Sequence, residues 1–410
     1  MVAPLSGTSA LPATPRLFAG VMTGTSMDGI DLSLIAVEGS RVRRIDFAQA
    51  DFPAPLRTLC RALHDPELPE ALRRSAEAGV ALARAISALV RSRESAWRSL
   101  GAVEAIGVHG QTVLHRPAEG LTLQINAPAW IAEETGLTVV SDFRTADLAA
   151  GGQGAPLVPV FHEVMTRFLP ARQTALVNLG GIANVTLIRR ESPLSEEASA
   201  TPDVVGFDTG PANMLLDLWA QRVLGTDCDI DGRLASQAAP VDSLVALMRA
   251  DPYFAQRGPK STGRDQFNSQ WLDTMLARHA AERIQAGNRE ATALSNAQVQ
   301  ASLVALTALT VAAEIPTDTE ALYLCGGGAK NPVLRQALQE ACRAIGCTAN
   351  LETTEALGWP VQEVESAAFA WLAYCCVSGQ AGNLPQVTGA RGPRILGSVT
   401  RSISTGIHAT

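Results

Sequence analysis

The residues best suited to chemistry are crowded into one short segment near the start of the chain, residues 20–31. Glycines, hydroxyl side chains and carboxylates lie there between two apolar runs, at 17–22 and 30–37. This pattern predicts a β-hairpin with a glycine-rich tip. Glycine lets a backbone approach a ligand closely, and free N–H groups beside hydroxyls suit phosphate oxygens. The candidate phosphate contacts are Gly24, Thr25, Ser26, Met27, Asp28, Gly29, Ile30 and Asp31.

Two further glycine-rich turns each follow a predicted strand. The hairpin pattern recurs between apolar runs at 175–178 and 185–189, which indicates a duplicated architecture with one phosphate-facing hairpin in each half. The third turn follows a strand at 321–325 and precedes a helix, a favourable setting for a nucleotide. A Walker-type loop is absent, because the Lys-Ser pair at 260–261 lacks the required glycine spacing. The candidate contacts are Asn178, Gly180, Gly181 and Asn184 in one turn and Gly326, Gly327, Gly328 and Asn331 in the other.

Asp208 is the candidate for acid–base chemistry. It begins an Asp-Thr-Gly tripeptide after a predicted strand at 204–207. The same tripeptide occurs in aspartic proteases, but their chemistry needs two carboxylates that share a proton, and this chain has one such tripeptide. A single Asp at a strand end suits a general base or a magnesium-bound water. The alternative, a cap of the helix after Pro211, remains open.

Four other polar residues follow strands or begin a helix. His109 and Gln111 follow a predicted strand at 105–108 without a third ligand at metal-site spacing, so a histidine bonded locally is the default. Arg144, at another strand end, could grip a carboxylate with two hydrogen bonds or lie on the surface. Glu365 begins an apolar helix, where the helix dipole favours a carboxylate in any case.

The elements around these residues predict an α/β fold. Helices are expected at 55–64, 70–97, after 211, from about 333 and at 364–377, and they alternate with short strands. A chain of 410 residues with 47% hydrophobic residues has material for two cores. We therefore expect two hairpin-bearing halves around a cleft.

Composition excludes several partners. The net charge of −7 argues against nucleic acid and against an anionic membrane surface, and no apolar run is long enough to span a bilayer. Seven scattered cysteines form no metal or disulfide pattern, which favours reduced thiols in a cytoplasmic protein. Residues 1–16 are expected to be a disordered extension rather than a signal peptide, and residues 191–203 a solvated loop.

Taken together, these segments resemble the anhydro-N-acetylmuramic acid kinase family of the sugar kinase/actin-like ATPase superfamily. Any one segment is a weak signal, but together they follow the family's order from about residue 17 to residue 397. One departure is Ala212, where the family usually has glycine; it should be tolerated if its φ is negative. The matching stretches are 20–29, 109–112, 142–144, 151–159, 178–184, 207–211, 259–264, 325–328, 331–332, 365 and 369–373.

The resemblance implies a two-domain ribonuclease-H-like fold that closes over ATP, Mg²⁺ and a small sugar. Domain I would comprise residues 17–145 and 365–410, and domain II residues 146–364. Asp208 would be the catalytic base, and Asp28 is a candidate metal ligand. Arg144 and Glu365 match positions that contact the anhydrosugar, and His109 and Gln111 are placed with them. A homodimer is also implied.

The family's reaction suits these residues. Water activated by Asp208 would attack C1 of 1,6-anhydro-N-acetylmuramic acid, and the released O6 would take the γ-phosphoryl group of ATP, as in peptidoglycan recycling. Three alternatives are a kinase for another sugar, an actin-like or chaperone-like ATPase that hydrolyses ATP without a sugar, and an aspartic protease.

Overall fold

The structure is a computed structural model that describes residues 15–24, 27–65, 67–191, 202–258, 260–285 and 293–401. The described strands are β1 (Arg16–Met22), β2 (Gly29–Glu38), β3 (Arg41–Asp51), β4 (Val103–Val108), β5 (Gln111–Arg116), β6 (Leu121–Ile125), β7 (Val139–Ser141), β8 (Gln173–Leu179), β9 (Ile182–Arg189), β10 (Asp203–Pro211), β11 (Ala321–Cys325), β12 (Leu351–Thr353) and β13 (Ser398–Thr400). The described helices are α1 (Ala54–Ala62), α2 (Ala71–Arg98), α3 (Pro128–Thr135), α4 (Thr145–Ala149), α5 (Pro159–Thr166), α6 (Asn213–Leu224), α7 (Asp242–Arg249), α8 (Pro252–Ala255), α9 (Ser269–Gln285), α10 (Asn296–Ala312), α11 (Pro332–Ala344), α12 (Val364–Val377) and α13 (Pro385–Thr388).

Two mixed sheets share one strand order. The first sheet runs β13-β7-β4-β1-β2-β3 and the second runs β10-β9-β8-β11-β12. In each, three consecutive strands form an antiparallel meander, and a later strand pairs parallel with the first strand of that meander. This repeat confirms the predicted α/β class and the duplicated architecture, and it is the order expected of the ribonuclease-H-like fold.

Helix α12 lies directly against the first sheet because two paired strand residues are glycines. Gly20 in β1 is the cross-strand partner of Gly107 in β4. A Cβ on Gly20 would lie 2.1 Å from the carbonyl oxygen of Ser366, and a Cβ on Gly107 would lie 2.1 Å from that of Phe369. Any side chain at either position would therefore push α12 off the sheet. The glycine pair therefore determines the position of the first turn of α12 on the sheet.

The second sheet has its own core, built largely from α10. This helix begins with a capping box, in which Ser295 and Gln298 exchange side-chain and backbone hydrogen bonds. Twelve of its seventeen residues are buried, and the largest apolar cluster joins it to β8, β9, α6 and α11. Strand β10 and helix α6 are thus supported by a well-packed apolar core.

Some sequence-based boundaries are wrong. Arg16, assigned to the extension, begins β1 and forms an ion pair with Glu104; Asp203, assigned to the 191–203 loop, begins β10 and pairs with Arg189. Pro15, Glu191 and Pro202 are described and lie outside the strands, whereas residues 1–14 and 192–201 of those two predictions lie outside the described residues. Strand β3 was missed because it is an edge strand, exposed or half-buried along its length, with no apolar alternation.

The domain division stays a prediction. The segment after α12 contacts both halves: Leu384 and Val387 pack on Leu176 and Ile188 of the second sheet, while β13 pairs with β7 of the first.

All seven cysteines are free, and five of them are buried. In the described part of the chain, no helix is both long enough and apolar enough to cross a bilayer.

Candidate active site

Asn178, Asn184 and Asp208 form one row across three neighbouring strands. Asn184 in β9 is the direct partner of Asn178 in β8 and of Asp208 in β10. Residues directly opposite each other in a sheet project to the same face. The predicted phosphate hairpin and the predicted base therefore share one face of the second sheet.

Asp208 is held by three residues from the segment between α7 and α9. Its Oδ2 accepts a 3.1 Å hydrogen bond from the backbone N–H of Thr262, its own N–H donates to the carbonyl of Lys260 at 3.0 Å, and Tyr253 Oη donates to its carbonyl at 2.7 Å. The helix-cap alternative is wrong, because the residue at the N-cap of α6 is Ala212. The φ of Ala212 is −127°, so this position does not need the left-handed backbone conformation that favours glycine.

The pKa of Asp208 is raised to about 6. Burial is the main cause, and the Thr262 N–H and the positive charge of Arg144 oppose it. A carboxylate with this pKa is ionised at neutral pH and still basic enough to take a proton from an attacking group.

Arg144 is fixed by a neutral histidine. Its Nε and Nη2 donate to Nε2 of His109 at 3.2 and 3.0 Å, and its Nη1 donates to the carbonyl of Gly154 at 3.3 Å. Burial, aided by the Arg144 charge, lowers the pKa of His109 to about 3, and its Nδ1 donates to the carbonyl of Gly110 at 2.6 Å. Because the imidazole stays neutral, Nε2 is free to accept from the guanidinium.

The charges of Glu365 and Asp208 both act on Arg144. Burial lowers the pKa of Arg144 to about 10, and the two carboxylates oppose that shift. Glu365 lies in the first turn of α12, where its Oε1 accepts a 3.0 Å hydrogen bond from Nδ2 of Asn178 and burial raises its pKa. The structure thus brings together five of the predicted residues: Asp208, Arg144, His109, Glu365 and Asn178.

The first hairpin reaches the same region through Asp31. Burial raises the pKa of Asp31 to about 6, with Glu365 and Asp28 adding to the shift and Gln49 and Lys330 opposing it. Nε2 of Gln49 donates to its carboxylate at 2.8 Å. The hairpin, the start of α12 and the third glycine turn therefore converge here.

The tip of the first hairpin is described only in part. Thr25 and Ser26 lie outside the described residues. Asp28 is exposed, whereas the side chains of Met27 and Ile30 are buried in the core. Met27 and Ile30 can therefore contact a phosphate only through their backbone groups.

The second and third glycine turns lie against each other. A Cβ on Gly326, whose φ is +80°, would fall 2.2 Å from Oδ1 of Asn178, and one on Gly328 would fall 2.8 Å from Cβ of Leu179. The carbonyls of Gly180 and Gly181 accept N–H groups from the start of α6. Glycine is needed in the third turn because the two loops touch.

Two predicted residues have further constraints. Oδ1 of Asn331 accepts the N–H groups of Val333 and Leu334 and so caps α11, which leaves its amide nitrogen for a ligand. Gln111 is 1% exposed at the start of β5, and its Oε1 has no hydrogen-bond partner among the described residues. Such a buried acceptor suits a ligand donor.

Sequence reasoning missed several residues of the site. Tyr253 and Lys330 had no local signal, since their contacts arise only in the tertiary structure. Thr262 lies in the 259–264 stretch that matched the family, but nothing in the sequence indicated that its backbone N–H donates to Asp208. Asp217 in α6 looked like an ordinary helix residue, but burial and the Asp28 charge raise its pKa to about 7.

Comparison with known proteins identifies the family. The family model for anhydro-N-acetylmuramic acid kinase matches residues 16–402. The chain belongs to the anhydro-N-acetylmuramic acid kinase family. An anhydro-N-acetylmuramic acid kinase of Burkholderia orbicola is 43% identical over 395 residues, covering 95% of this chain and 97% of that protein. One from Paraburkholderia xenovorans is 45% identical over 390 residues, covering 93% and 97%.

Similarity to solved structures is weaker. A xylulose kinase from Rhodospirillum rubrum has a TM-score of 0.40 at 12% identity, covering 88% of this chain and 90% of that one. Membership of the anhydro-N-acetylmuramic acid kinase family makes the protease alternative wrong. Within the described ranges, no group of three His, Cys, Asp or Glu residues has the arrangement of a metal site.

Proposed function

We propose that this chain is an ATP-dependent kinase that opens the 1,6-anhydro ring of 1,6-anhydro-N-acetylmuramic acid and phosphorylates O6. The products are N-acetylmuramic acid 6-phosphate and ADP, and the reaction serves cell-wall recycling. Asp208 is assigned as the base because its pKa is raised to about 6 and because it lies in one row with Asn184 and Asn178 of the second glycine hairpin. Family membership supports the substrate.

The reaction needs one base. Asp208 takes a proton from water as the water oxygen bonds to C1, and the C1–O6 bond breaks. O6 then bonds to the γ-phosphorus, whose bond to the bridging oxygen of ADP breaks. A single carboxylate suffices because the leaving O6 is captured by phosphorus instead of needing a general acid.

The sugar would lie between Asp208 and the pair formed by Arg144 and Glu365. Arg144 cannot swing freely, because His109 and Gly154 hold three of its nitrogens. Such a fixed guanidinium presents its charge to substrate oxygens at low entropic cost. Gln111 and Glu365 supply further acceptors for sugar hydroxyls.

The ATP phosphates would lie between the first two hairpins, with the adenosine near the third turn. Mg²⁺ fits this arrangement, since it usually keeps several waters and takes one or two carboxylates plus phosphate oxygens. Asp28 is exposed at the hairpin tip and would supply such a carboxylate. When bound, the ion would neutralise charge on the phosphates.

The remaining assignments belong to the same proposal. We place residues 17–145 and 365–410 in one domain and residues 146–364 in the other, with the site in the cleft. Five buried free thiols and the small-molecule reaction agree with a cytoplasmic enzyme. We expect the active form to be a homodimer.

Turnover in ¹⁸O-labelled water tests the function. Mass analysis should find one label at C1 of a 6-phosphorylated sugar, with ADP formed in equal amount. A phosphorylated product without label would contradict coupled ring opening. Release of ADP without sugar would favour the ATPase alternative, and preference for glucosamine or N-acetylmuramic acid would favour another sugar kinase.

A further inference from the structure

We propose that Lys260 is a positioning residue that holds Asp208 in its working geometry. The inference rests on the proposed role of Asp208 as the base. Lys260 lies outside the assigned site residues, and its ammonium group does not point at the Asp208 carboxylate. It acts instead through the backbone of residues 260–262.

The Lys260 ammonium is deeply buried and fully engaged. Its side chain is 3% exposed, and Nζ donates to Oε1 of Glu314 at 2.8 Å and to the carbonyl of Gln256 at 2.9 Å. Nζ also lies 5.1 Å from the ring centre of Tyr253. Burial of a charged group is costly unless it is paired and hydrogen-bonded, so this arrangement holds the segment firmly.

Glu314, the ion-pair partner of Lys260, is itself held in place by α10. Glu314 follows α10, and its N–H donates to the carbonyl of Val311 in that helix. Since α10 packs beneath the second sheet, the Lys260–Glu314 pair ties residues 260–262 to the core. The chain has two lysines, Lys260 and Lys330, among 33 basic residues. A compact ammonium fits two oxygens and one ring face more readily than a planar guanidinium does.

Asp208 is held at three points, two of them by residues 260–262 and the third by Tyr253. The carbonyl of Lys260 accepts the Asp208 N–H, Tyr253 Oη donates to the Asp208 carbonyl, and the Thr262 N–H donates to the carboxylate. Lys260 and Tyr253 are themselves in contact through the ammonium and the ring. Loss of the ammonium would release all three contacts together.

The consequence for catalysis has a defined direction. A hydrogen bond from Thr262 to the ionised carboxylate lowers the pKa that burial raises. The other charged or titratable groups that face Asp208 are Arg144, from the loop before α4, and Tyr253, from α8. If residues 260–262 move away, Asp208 loses the hydrogen bond that favours its ionised form, and its carboxylate is no longer oriented toward the attacking water.

The test compares Lys260→Met with Arg93→Met in the full-length protein. Arg93 is a matched control, because it pairs with Asp46 at 2.8 Å in the first half, away from the site. Glu314→Gln is a milder second variant that keeps the side-chain shape. Steady-state kinetics, pH profiles and thermal unfolding are measured for each variant. The Asp208 carboxyl is titrated by ¹³C NMR without substrate, and its signal is assigned by its loss in Asp208→Asn.

For Lys260→Met we expect kcat to fall about 100-fold, in the range typical of a mispositioned base, while KM for sugar and for ATP changes less than about twofold. The acid limb of the profile and the NMR midpoint of Asp208 should both move to higher pH, with smaller shifts in Glu314→Gln. Arg93→Met should lower the melting temperature and leave kcat and the Asp208 midpoint unchanged.

A folded Lys260→Met or Glu314→Gln protein with the wild-type kcat and Asp208 midpoint would overturn the proposal. If Lys260→Met does not fold, Glu314→Gln alone decides. The NMR titration separates this outcome from failure of the proposed function, because it needs no substrate. A shifted midpoint in a protein that does not turn over the anhydrosugar would support the role of Lys260 and contradict the assigned reaction.

Discussion

Nδ2 of Asn178 donates a 3.0 Å hydrogen bond to Oε1 of Glu365. Asn178 is the penultimate residue of β8, the strand that leads into the second glycine hairpin, and Glu365 lies in the first turn of α12, which packs on the first sheet. A predicted phosphate-binding residue and a predicted sugar-binding residue, 187 positions apart in the chain, are therefore in direct contact. This contact places the two halves of the site face to face.

Asp208→Asn should reduce kcat by about 1,000-fold, since it removes the proposed base and keeps the shape of the side chain. ATP binding, followed by calorimetry, should stay within about twofold of wild type because the glycine turns are untouched. Retained turnover would exclude Asp208 as the base. Asp46→Asn, at a carboxylate bonded to Arg93 and Trp97, serves as the control and should keep its kcat.

Activity should fall as the pH drops through about 6, because Asp208 must be ionised to accept a proton and its pKa is about 6. The profile of kcat/KM for the sugar would show this acid limb. A limb near pH 4, the range of an ordinary Asp, would show that burial does not raise the pKa.

The contribution of Asp208 to folding stability depends on pH in the opposite direction to activity: it decreases as the pH rises. Its pKa is raised from 3.8 to about 6 on folding, so the folded protein binds the proton more tightly than the unfolded chain. The contribution is fully present below about pH 4 and is lost as the pH rises through 6. Asp208→Asn should therefore melt at a higher temperature than wild type at pH 8, and the gap should close toward pH 4. An equal gap at both values would contradict this linkage.

Arg144→Lys should raise KM for the anhydrosugar about tenfold or more and leave KM for ATP nearly unchanged. Lysine lacks the planar fork that lets Arg144 donate to His109 and Gly154 while presenting charge to a substrate. Steady-state kinetics with each substrate varied in turn measures the effect. Arg189→Lys, on an exposed pair with Asp318, is the control and should match wild type.

Asp147→Asn should loosen the loop that supports Arg144. Asp147 is fully buried and accepts hydrogen bonds from Asn383, Thr388 and the N–H of Gly154, the residue whose carbonyl holds Arg144. An amide would set its NH₂ group against one of these donors, at a cost of about 2 kcal/mol. Chemical denaturation should show that loss together with a higher KM for the sugar. A variant with an unchanged KM for the sugar would limit Asp147 to stability.

Gly20→Ala should destabilise the protein by about 3 kcal/mol, because the new Cβ would lie 2.1 Å from the backbone of α12. The displaced helix carries Glu365, so the sugar KM should rise as well. Gly392→Ala is the control, since its Cβ would meet only the end of the Arg394 side chain at 3.5 Å. Equal stability of the two variants would show that α12 does not rest on Gly20.

The sequence was most informative where a function is carried by contiguous residues. The glycine hairpins and the third turn could be predicted because turn residues between apolar runs specify local structure. The α/β class followed from alternating strands and helices, and α12 was predicted with its observed bounds. Edge strand β3 was not predicted, because all of its residues are exposed or half-buried and its sequence lacks a sustained apolar alternation.

By itself, the sequence determined which residue types are present for chemistry and which family they match. Only the tertiary structure decided how they act. It placed Asp208 in register with Asn184, set its pKa through burial and bonded it to Thr262, 54 residues away. It also gave Arg144 a neutral histidine as its partner. Burial and long-range hydrogen bonds depend on the packing of distant segments, which no local pattern of residues encodes.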